Sequence, residues 1–326
     1  MKIACLPGDG IGAEVTAAAL DVLSVLVPEL EIEEHLFGGE AILARGTPLP
    51  DDTLAACLDA DAVLLGAVGL PQFDAADVRP EQGLIGLRKA LDVYANLRPA
   101  RQNTIDLIVL RELVGGLYYG PKGTRDDGTV FDTLEYHPRQ VERIARRAFA
   151  LARMRRGLVT SVDKANVLET SRMWRRVVGE VATDYADVEL EHILVDTAAM
   201  QLVTAPEQFD VILTENTFGD ILSDEAGAVT GGLGLAASAS LGDDGPGIFE
   251  PVHGSAPDIA GRGIANPAAM LRSAALMLEH GLGLPAEAKR LSAAVDTAIA
   301  LAPTPDLGGN ATTRDVVAAV LAGLRR

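Results

Sequence analysis

Asp220 and Asp224 lie four residues apart in the run TENTFGDILSD, and a third acid, Asp196, follows an apolar stretch in HILVDTAAM. If residues 219–230 form a helix, positions i and i+4 face the same way and both carboxylates enter one space. Like charges held that close repel unless a cation lies between them. A hard divalent ion such as Mg²⁺ takes such oxygen donors and keeps positions open for water or substrate. A solvated acidic helix face is the plainer alternative. Gly219 and the TEN triplet place the acids at a strand-to-helix junction, where α/β proteins collect ligands.

Anion-binding groups accompany the acids. Arg88 and Arg98 lie in GLIGLRKALDVYANLRP, and Arg111 and Tyr118 in RELVGGLYYG. Arginine offers a rigid fork that grips a carboxylate bidentately, although a single arginine is ordinarily a surface residue. Arg88 and Arg98 do not share a face of one unbroken helix. They converge if that helix ends near Asn96 and Leu97-Arg98-Pro99 runs extended. Lys164 and Asn166 sit in TSVDKANVL, at the exit from an apolar run. Burial beside a cation would lower the lysine pKa enough for proton transfer, whereas Asp163 offers an ordinary salt-bridged turn. Tyr118 can donate or accept a proton, and Tyr119 reads as a packing aromatic. Together these groups fit a metal-dependent reaction of a dicarboxylate, by oxidation, hydration or hydrolysis.

Residues 8–13, GDGIGA, match the dinucleotide pattern G-x-G-x-x-G/A directly after the first apolar run, with Glu31 and Glu33 as candidate ribose acids. Asp9 inside the loop and Glu14 in the next turn would oppose a pyrophosphate, while both suit a helix dipole. A tight strand-to-helix turn with another role is the better reading.

Alternating strands and helices must carry these residues. KIACL, AVLLG (62–66), the run around 105–111, GLVTSVDK (157–164), VELEHILVD (188–196) and FDVILTEN (209–216) read as strands. Helical periodicity covers 12–27, 138–156, 167–185 and 265–281, with Pro138 and Pro267 suited to first turns. The segment 115–137 combines glycines, turn dipeptides and aromatics and is predicted to form a hairpin or arm. A loop over an active site and an intersubunit clasp both suit it. The glycine- and alanine-rich stretch 226–240 permits close packing.

A chain of 326 residues suits two domains or one large α/β domain, and 48% hydrophobic with 23% charged residues is a globular composition. The net charge of −18 opposes nucleic acid or an anionic membrane surface as a partner. An anionic substrate therefore needs its own arginine cluster. Cys5 and Cys57 give neither a disulfide framework nor zinc spacing. The start MKIACLPGDG carries no signal-peptide pattern and no long uninterrupted apolar run occurs, so a cytoplasmic protein is expected.

The segments LPGDGIGAEV, LLGAVG, GLIGLRKALDVYANLRP, RELVGGLYYG, SVDKANVLE, FDVILTENTFGDILSD, FEPVHGSAPDIAGRGIANP and TPDLGGNATT span nearly the whole chain. Together they resemble the β-decarboxylating dehydrogenases of the isocitrate/isopropylmalate family. The resemblance implies a two-domain α/β fold with a doubly wound, non-Rossmann sheet. Residues 1–94 and 231–326 would form the first domain, with most of the NAD site; residues 95–230 would form the second, with a projecting dimer arm over 115–137. It also implies NAD, Mg²⁺ or Mn²⁺, a small dicarboxylate substrate, and a homodimer whose two active sites share residues.

By the same resemblance, Arg88, Arg98 and Arg111 would bind the malate carboxylates, and Tyr118 would protonate the decarboxylated carbon. Asp220 and Asp224 would bind the metal, with Asp196 and the catalytic Lys164 coming from the other subunit. Glu81, Leu84, Ile85 and Val167 fall at the substrate side chain. Ile11, Glu250, His253, Gly254, Ser255, Ala256, Asp258 and Asn266 fall at the cofactor. Asp258 would accept from ribose hydroxyls and repel a 2′-phosphate, which favours NAD over NADP. RELVGG in place of RENTEG points to the isopropylmalate branch, acting in leucine biosynthesis. Branches acting on D-malate, tartrate, homoisocitrate or isocitrate are alternatives, as is a non-catalytic regulatory subunit. One departure is visible: RPARQNTIDLIVLR is much shorter than the corresponding family connection, although the matched residues are intact.

Overall fold

Apolar runs bounded by turn residues fold as strands buried on both faces, and the periodic stretches between them as helices. The structure, a computed structural model, describes residues 1–325. Along the chain the strands are β1 (Lys2–Gly8), β2 (Glu31–Glu34), β3 (Ala62–Ala67), β4 (Ala95–Gln102), β5 (Ile105–Glu112), β6 (Lys122–Thr124), β7 (Val130–Asp132), β8 (Leu158–Asp163), β9 (Glu189–Leu194), β10 (Val211–Thr214), β11 (Ala237–Leu241) and β12 (Gly247–Pro251). The helices are α1 (Gly12–Leu26), α2 (Gly38–Arg45), α3 (Asp51–Asp59), α4 (Pro80–Ala90), α5 (Pro138–Arg153), α6 (Glu169–Ala182), α7 (Val195–Thr204), α8 (Asn216–Val229), α9 (Ala268–Leu276), α10 (Pro285–Leu301) and α11 (Thr313–Leu324).

Two compact units result, one from Met1–Val93 with the chain from Gly231 onward, the other from Tyr94–Thr230. Strand order in the first is β2-β1-β3-β12-β11, parallel except for β11 against β12. In the second it is β4-β5-β10-β8-β9, parallel except for β4 against β5. All six residues of β3 and all four of β10 are buried, which is why both read as unbroken apolar runs. In the second unit Val109, Val162, Phe209 and Ile212 pack with Leu202 of α7 and Leu222 of α8.

Within 115–137, β6 and β7 form a two-stranded ribbon of three residues per strand, with Val130 73% exposed. Cys5 in β1 and Cys57 in α3 are free and buried, and burial pushes both thiols up to about 12. No helix among the described residues is long and apolar enough to cross a membrane.

Three differences from the sequence reading bear on the residues singled out there. Helix α4 stops at Ala90 rather than near Asn96; Asp92 turns the chain at φ +45° and Asn96 already belongs to β4. Strand β9 ends at Leu194, so Asp196 lies in the first turn of α7, where the helix dipole favours a carboxylate. The polar sequence ANLRPARQ runs extended well beyond Leu97–Pro99, because eight pairs from Ala95↔Glu112 to Gln102↔Ile105 hold β4 against β5. The short connection is a two-residue turn in which Asn103 takes φ +52°, a conformation asparagine tolerates.

Candidate functional site

Helix α8 begins where β10 ends, and the Glu215 carboxylate caps it by accepting the Phe218 N–H at 2.7 Å. Asp220 and Asp224 follow one turn apart. Strands β4 and β5, paired antiparallel, bring two arginines to them. Arg98 donates from Nη1 to Ser223 Oγ at 2.8 Å and to Asp224 at 2.9 Å, places Nη2 3.3 Å from Asp220, and donates from Nε to Asn96 Oδ1 at 2.9 Å. Arg111 is 2% exposed; it donates from Nη1 to Asp220, and from Nε and Nη2 to Asn216 Oδ1 at 2.9 and 2.7 Å. Gly219 lets this buried side chain cross the helix, since a Cβ there would lie 2.6 Å from Arg111 Cγ. The Tyr118 hydroxyl donates to Asp220 at 3.0 Å, and its ring centroid is 5.7 Å from the Arg111 guanidinium carbon. Arg98, Arg111, Tyr118, Asp220 and Asp224 thus form one cluster.

Burial first, and then the neighbouring Asp220 charge, push the Asp224 carboxyl up against the opposing pull of Arg98. The same two causes raise the Tyr118 phenol. Two partly buried carboxylates that oppose one another's ionisation form a donor pair suited to a divalent cation. Among the described residues no three His, Cys, Asp or Glu side chains come together as a metal-holding group. A single chain therefore offers Asp220 and Asp224 without Asp196.

Lys164, just past the end of β8, meets Asp196 at the start of α7 with Nζ–Oδ1 of 2.6 Å. Parallel pairing of β8 and β9 brings these ends together. The contact with Lys164 holds the Asp196 carboxyl below its usual range. Asp163, the partner an ordinary turn would use, is taken instead by Arg175 at 2.8 and 2.9 Å. Val167, one turn on, is 63% exposed.

Glu112, next in sequence to Arg111, is fully buried beside Arg143 and Tyr136. Burial raises its carboxyl from 4.5 to about 7. The folded state therefore keeps a proton that the unfolded chain releases, and the associated stability is complete below pH 4.5 and lost as pH rises through about 7. Glu112→Gln should melt close to wild type at the acid end of that window and about 2–4 °C above it at pH 8. Thermal scans at both pH values check this; a difference independent of pH would refute it.

In the first unit the glycine turn is a tightly packed strand-to-helix turn. Gly8 and Gly10 have φ of +69° and +56°, and a Cβ on either would lie 2.0 Å from Ala67 O or 2.1 Å from Ser255 O. Both glycines are therefore required by close approach of the protein's own backbone. The Ile11 N–H donates to Ser255 O at 2.8 Å. Buried Asp9 accepts the N–H groups of Gly39, Glu40 and Gly69 at 2.9, 3.0 and 2.8 Å, and Glu14 accepts those of Gly263 and Ala265. Glu33 pairs with Lys2 at 3.2 Å.

Beyond β12, Ala256 takes φ +37°, and Gly254 and Asp258 are exposed. His253 Nδ1 lies 2.9 Å from Gly254 O, while its buried Nε2 has no hydrogen-bond partner among the described residues; burial lowers the ring pKa and keeps it neutral. Asn266 donates to Asp306 at 2.9 Å and accepts the Ala268 N–H at 3.0 Å. A buried ring nitrogen without a hydrogen-bond partner among the described residues fits the polar edge of a nucleotide. On α4, Glu81, Leu84, Ile85 and Arg88 share a face, with Glu81 exposed and Ile85 37% exposed. Arg88 Nη2 meets Glu250 Oε1 at 2.6 Å, both side chains largely buried.

Four residues the sequence reading missed complete these clusters. Asn96 and Ser223 orient Arg98, Asn216 orients Arg111, and Asp306 holds Asn266. All four lie in stretches already singled out, but none has a role there: Asn96 stands only as a helix end, and Asn216, Ser223 and Asp306 as neighbours of other candidates.

A family model described as isocitrate/isopropylmalate dehydrogenase matches residues 2–320. The chain is 51% identical to the 3-isopropylmalate dehydrogenase of Zymomonas mobilis over 348 aligned positions, covering 99% of this chain and 100% of that protein. It is 53% identical to the 3-isopropylmalate dehydrogenase of Oceanobacillus iheyensis over 315, covering 90% and 86%. Among solved structures, isocitrate dehydrogenase from Methylococcus capsulatus matches with a TM-score of 0.93 and 37% identity, over 100% and 99% of the two chains. A β-decarboxylating dehydrogenase from Thermococcus kodakarensis matches with a TM-score of 0.87 and 39% identity, over 99% and 96%.

Proposed function

We infer that this chain, which belongs to the isocitrate/isopropylmalate dehydrogenase family, catalyses the NAD-dependent oxidative decarboxylation of (2R,3S)-3-isopropylmalate to 4-methyl-2-oxopentanoate and CO₂ in leucine biosynthesis. The observation that carries the reading is the convergence of Arg98, Arg111 and Tyr118 on the acid pair Asp220 and Asp224.

Asp220 and Asp224, with Asp196 of the partner subunit, would hold Mg²⁺ or Mn²⁺; Ile11, Glu250, His253 to Ala256, Asp258 and Asn266 would line the NAD site. When bound, the nicotinamide cofactor would supply a hydride acceptor and the divalent cation Lewis acidity for the substrate's oxygen groups. Arg98 and Arg111, with Arg88, grip the substrate carboxylates, which exchange for the acids now paired with them. Lys164 takes the hydroxyl proton, directly or through one water, and Asp196 keeps its amine oriented. Loss of CO₂ leaves an enolate, and the Tyr118 hydroxyl delivers its proton to the carbon that carried the carboxylate, giving the ketone. Lys164 and Asp196 serve the partner's site in a homodimer, and the exposed ribbon β6–β7 supports this by needing a covering surface.

Leu84, Ile85 and Val167 of the partner subunit would cover the isopropyl group. An apolar lining rejects a third carboxylate that finds no further cation, and each missing methylene changes transition-state binding by only ~1–3 kcal/mol. We expect kcat/KM to fall from isopropylmalate to malate, and further to isocitrate and homoisocitrate. A four-substrate comparison with purified protein, NAD and Mg²⁺ or Mn²⁺ checks this. A preference for homoisocitrate or isocitrate would reject the apolar pocket; cofactor binding without turnover of any 2-hydroxy dicarboxylate would indicate a regulatory subunit.

A further inference from the structure

Asn216 opens α8 and is fully buried. Its Oδ1 accepts from Arg111 Nε and Nη2 at 2.9 and 2.7 Å, and its Nδ2 donates to the carbonyls of Leu113 and Gly115 at 3.1 and 2.9 Å. A carboxamide has two acceptor positions and two N–H groups, so every position is engaged. The plane is fixed with its acceptor side on the guanidinium and its donor side on the turn after β5. That turn runs directly into Gly116–Tyr118.

Nothing beneath the turn gives way easily. A Cβ at Gly115 would lie 2.6 Å from the Tyr136 ring, and one at Gly116 2.6 Å from the Tyr136 hydroxyl. That hydroxyl also accepts the Asn216 N–H at 3.0 Å. On its other edge Arg111 reaches Asp220, the carboxylate that accepts the Tyr118 hydroxyl.

We propose that Asn216 is a positioning residue whose carboxamide ties the orientation of the Arg111 guanidinium to the placement of Tyr118, holding the carboxylate clamp and the proton donor at one fixed separation. The inference rests on the dehydrogenase reading above. An aspartate at this position keeps an acceptor for Arg111 but turns a second oxygen toward the two carbonyls. It therefore loosens Tyr118 while sparing the clamp. Loss of a small positional constraint on a reacting group is costly in rate, up to about a hundredfold per ångström.

The test is steady-state NADH formation from isopropylmalate, with NAD and Mg²⁺, by full-length wild type, Asn216→Asp, Tyr118→Phe and the double variant. We expect Asn216→Asp to lower kcat about thirtyfold with KM changed less than about threefold. In the Tyr118→Phe background the same substitution should cost less than about threefold, because the group it positions is already gone. Equal fold losses in both backgrounds, or a raised KM with unchanged kcat, would overturn the proposal. If Asn216→Asp fails to fold, Tyr136→Phe decides. It removes the hydroxyl that holds the Asn216 N–H and leaves Arg111 its partners. A kcat loss that vanishes beside Tyr118→Phe supports the inference, and unchanged kcat overturns it. Wild-type protein that makes no NADH from isopropylmalate would overturn the dehydrogenase reading itself, and this inference with it. Turnover by wild type with uncoupled variants overturns this inference alone.

Discussion

Asp220→Asn should lower kcat/KM for isopropylmalate by about a thousandfold, on the scale of several kcal/mol of transition-state stabilisation. One carboxylate serves Arg111 and the Tyr118 hydroxyl through two different oxygens and lies 3.3 Å from Arg98 Nη2. The change to a carboxamide is nearly isosteric, but it removes a charge and replaces one acceptor oxygen by an N–H₂ facing donors. If Asp220 also holds the cation, the Mg²⁺ concentration for half-maximal turnover rises in parallel. Asp224→Asn should move the same quantities less, since Asp224 is 50% exposed and bonded to Arg98 alone of the two arginines. A Mg²⁺ titration of turnover reads both effects. Unaltered Mg²⁺ dependence in both variants would return these acids to the status of a solvated helix face.

Two variants that are each inactive should restore activity when mixed. Lys164→Met removes the proposed proton acceptor, at an expected cost of about 10²–10⁴ in rate. Asp220→Asn disables the acid pair. If each active site draws Lys164 from one subunit and Asp220 from the other, a heterodimer of the two variants has one intact site and one doubly defective site. After subunit exchange in an equal mixture, half the dimers are mixed and half their sites intact, so about a quarter of wild-type activity should return. The Lys164–Asp196 pair moves as a unit in this scheme, consistent with their contact of 2.6 Å inside one chain. An equal mixture that stays inactive, with exchange verified by mass, would place lysine and aspartate in the same subunit's site.

Local geometry was the legible part of this site. Asp220 and Asp224 share a face because helical spacing requires it, and the strand-helix alternation that carries them is written in residue periodicity. Arg111 reaches those acids because β5 pairs with β10 across more than a hundred residues, and Arg98 because β4, a strand whose polar sequence hides it, pairs with β5. Pairing energy along β4 comes from its ladder with β5, not from its own side chains, so no apolar pattern marks it. The same limit hid the ion pair of Arg88 with Glu250, which are 162 residues apart. Asn216 and Glu112 escaped for a different reason. Their importance lies in how completely they are enclosed and which atoms they face, and composition does not encode either. The glycine turn went the other way. Its motif suggested a pyrophosphate, but Asp9 argued against one, and its bonds to three backbone N–H groups give that acid a structural task.

The two cysteines lend this protein to site-directed labelling. With only Cys5 and Cys57 in the sequence, both buried and both held as neutral thiols, the surface is quiet toward maleimides and other thiolate-seeking reagents at neutral pH. A cysteine introduced in place of exposed Thr104, at the tip between β4 and β5, would be the single reactive one. A fluorophore could be attached there without deleting any native residue that packs the core.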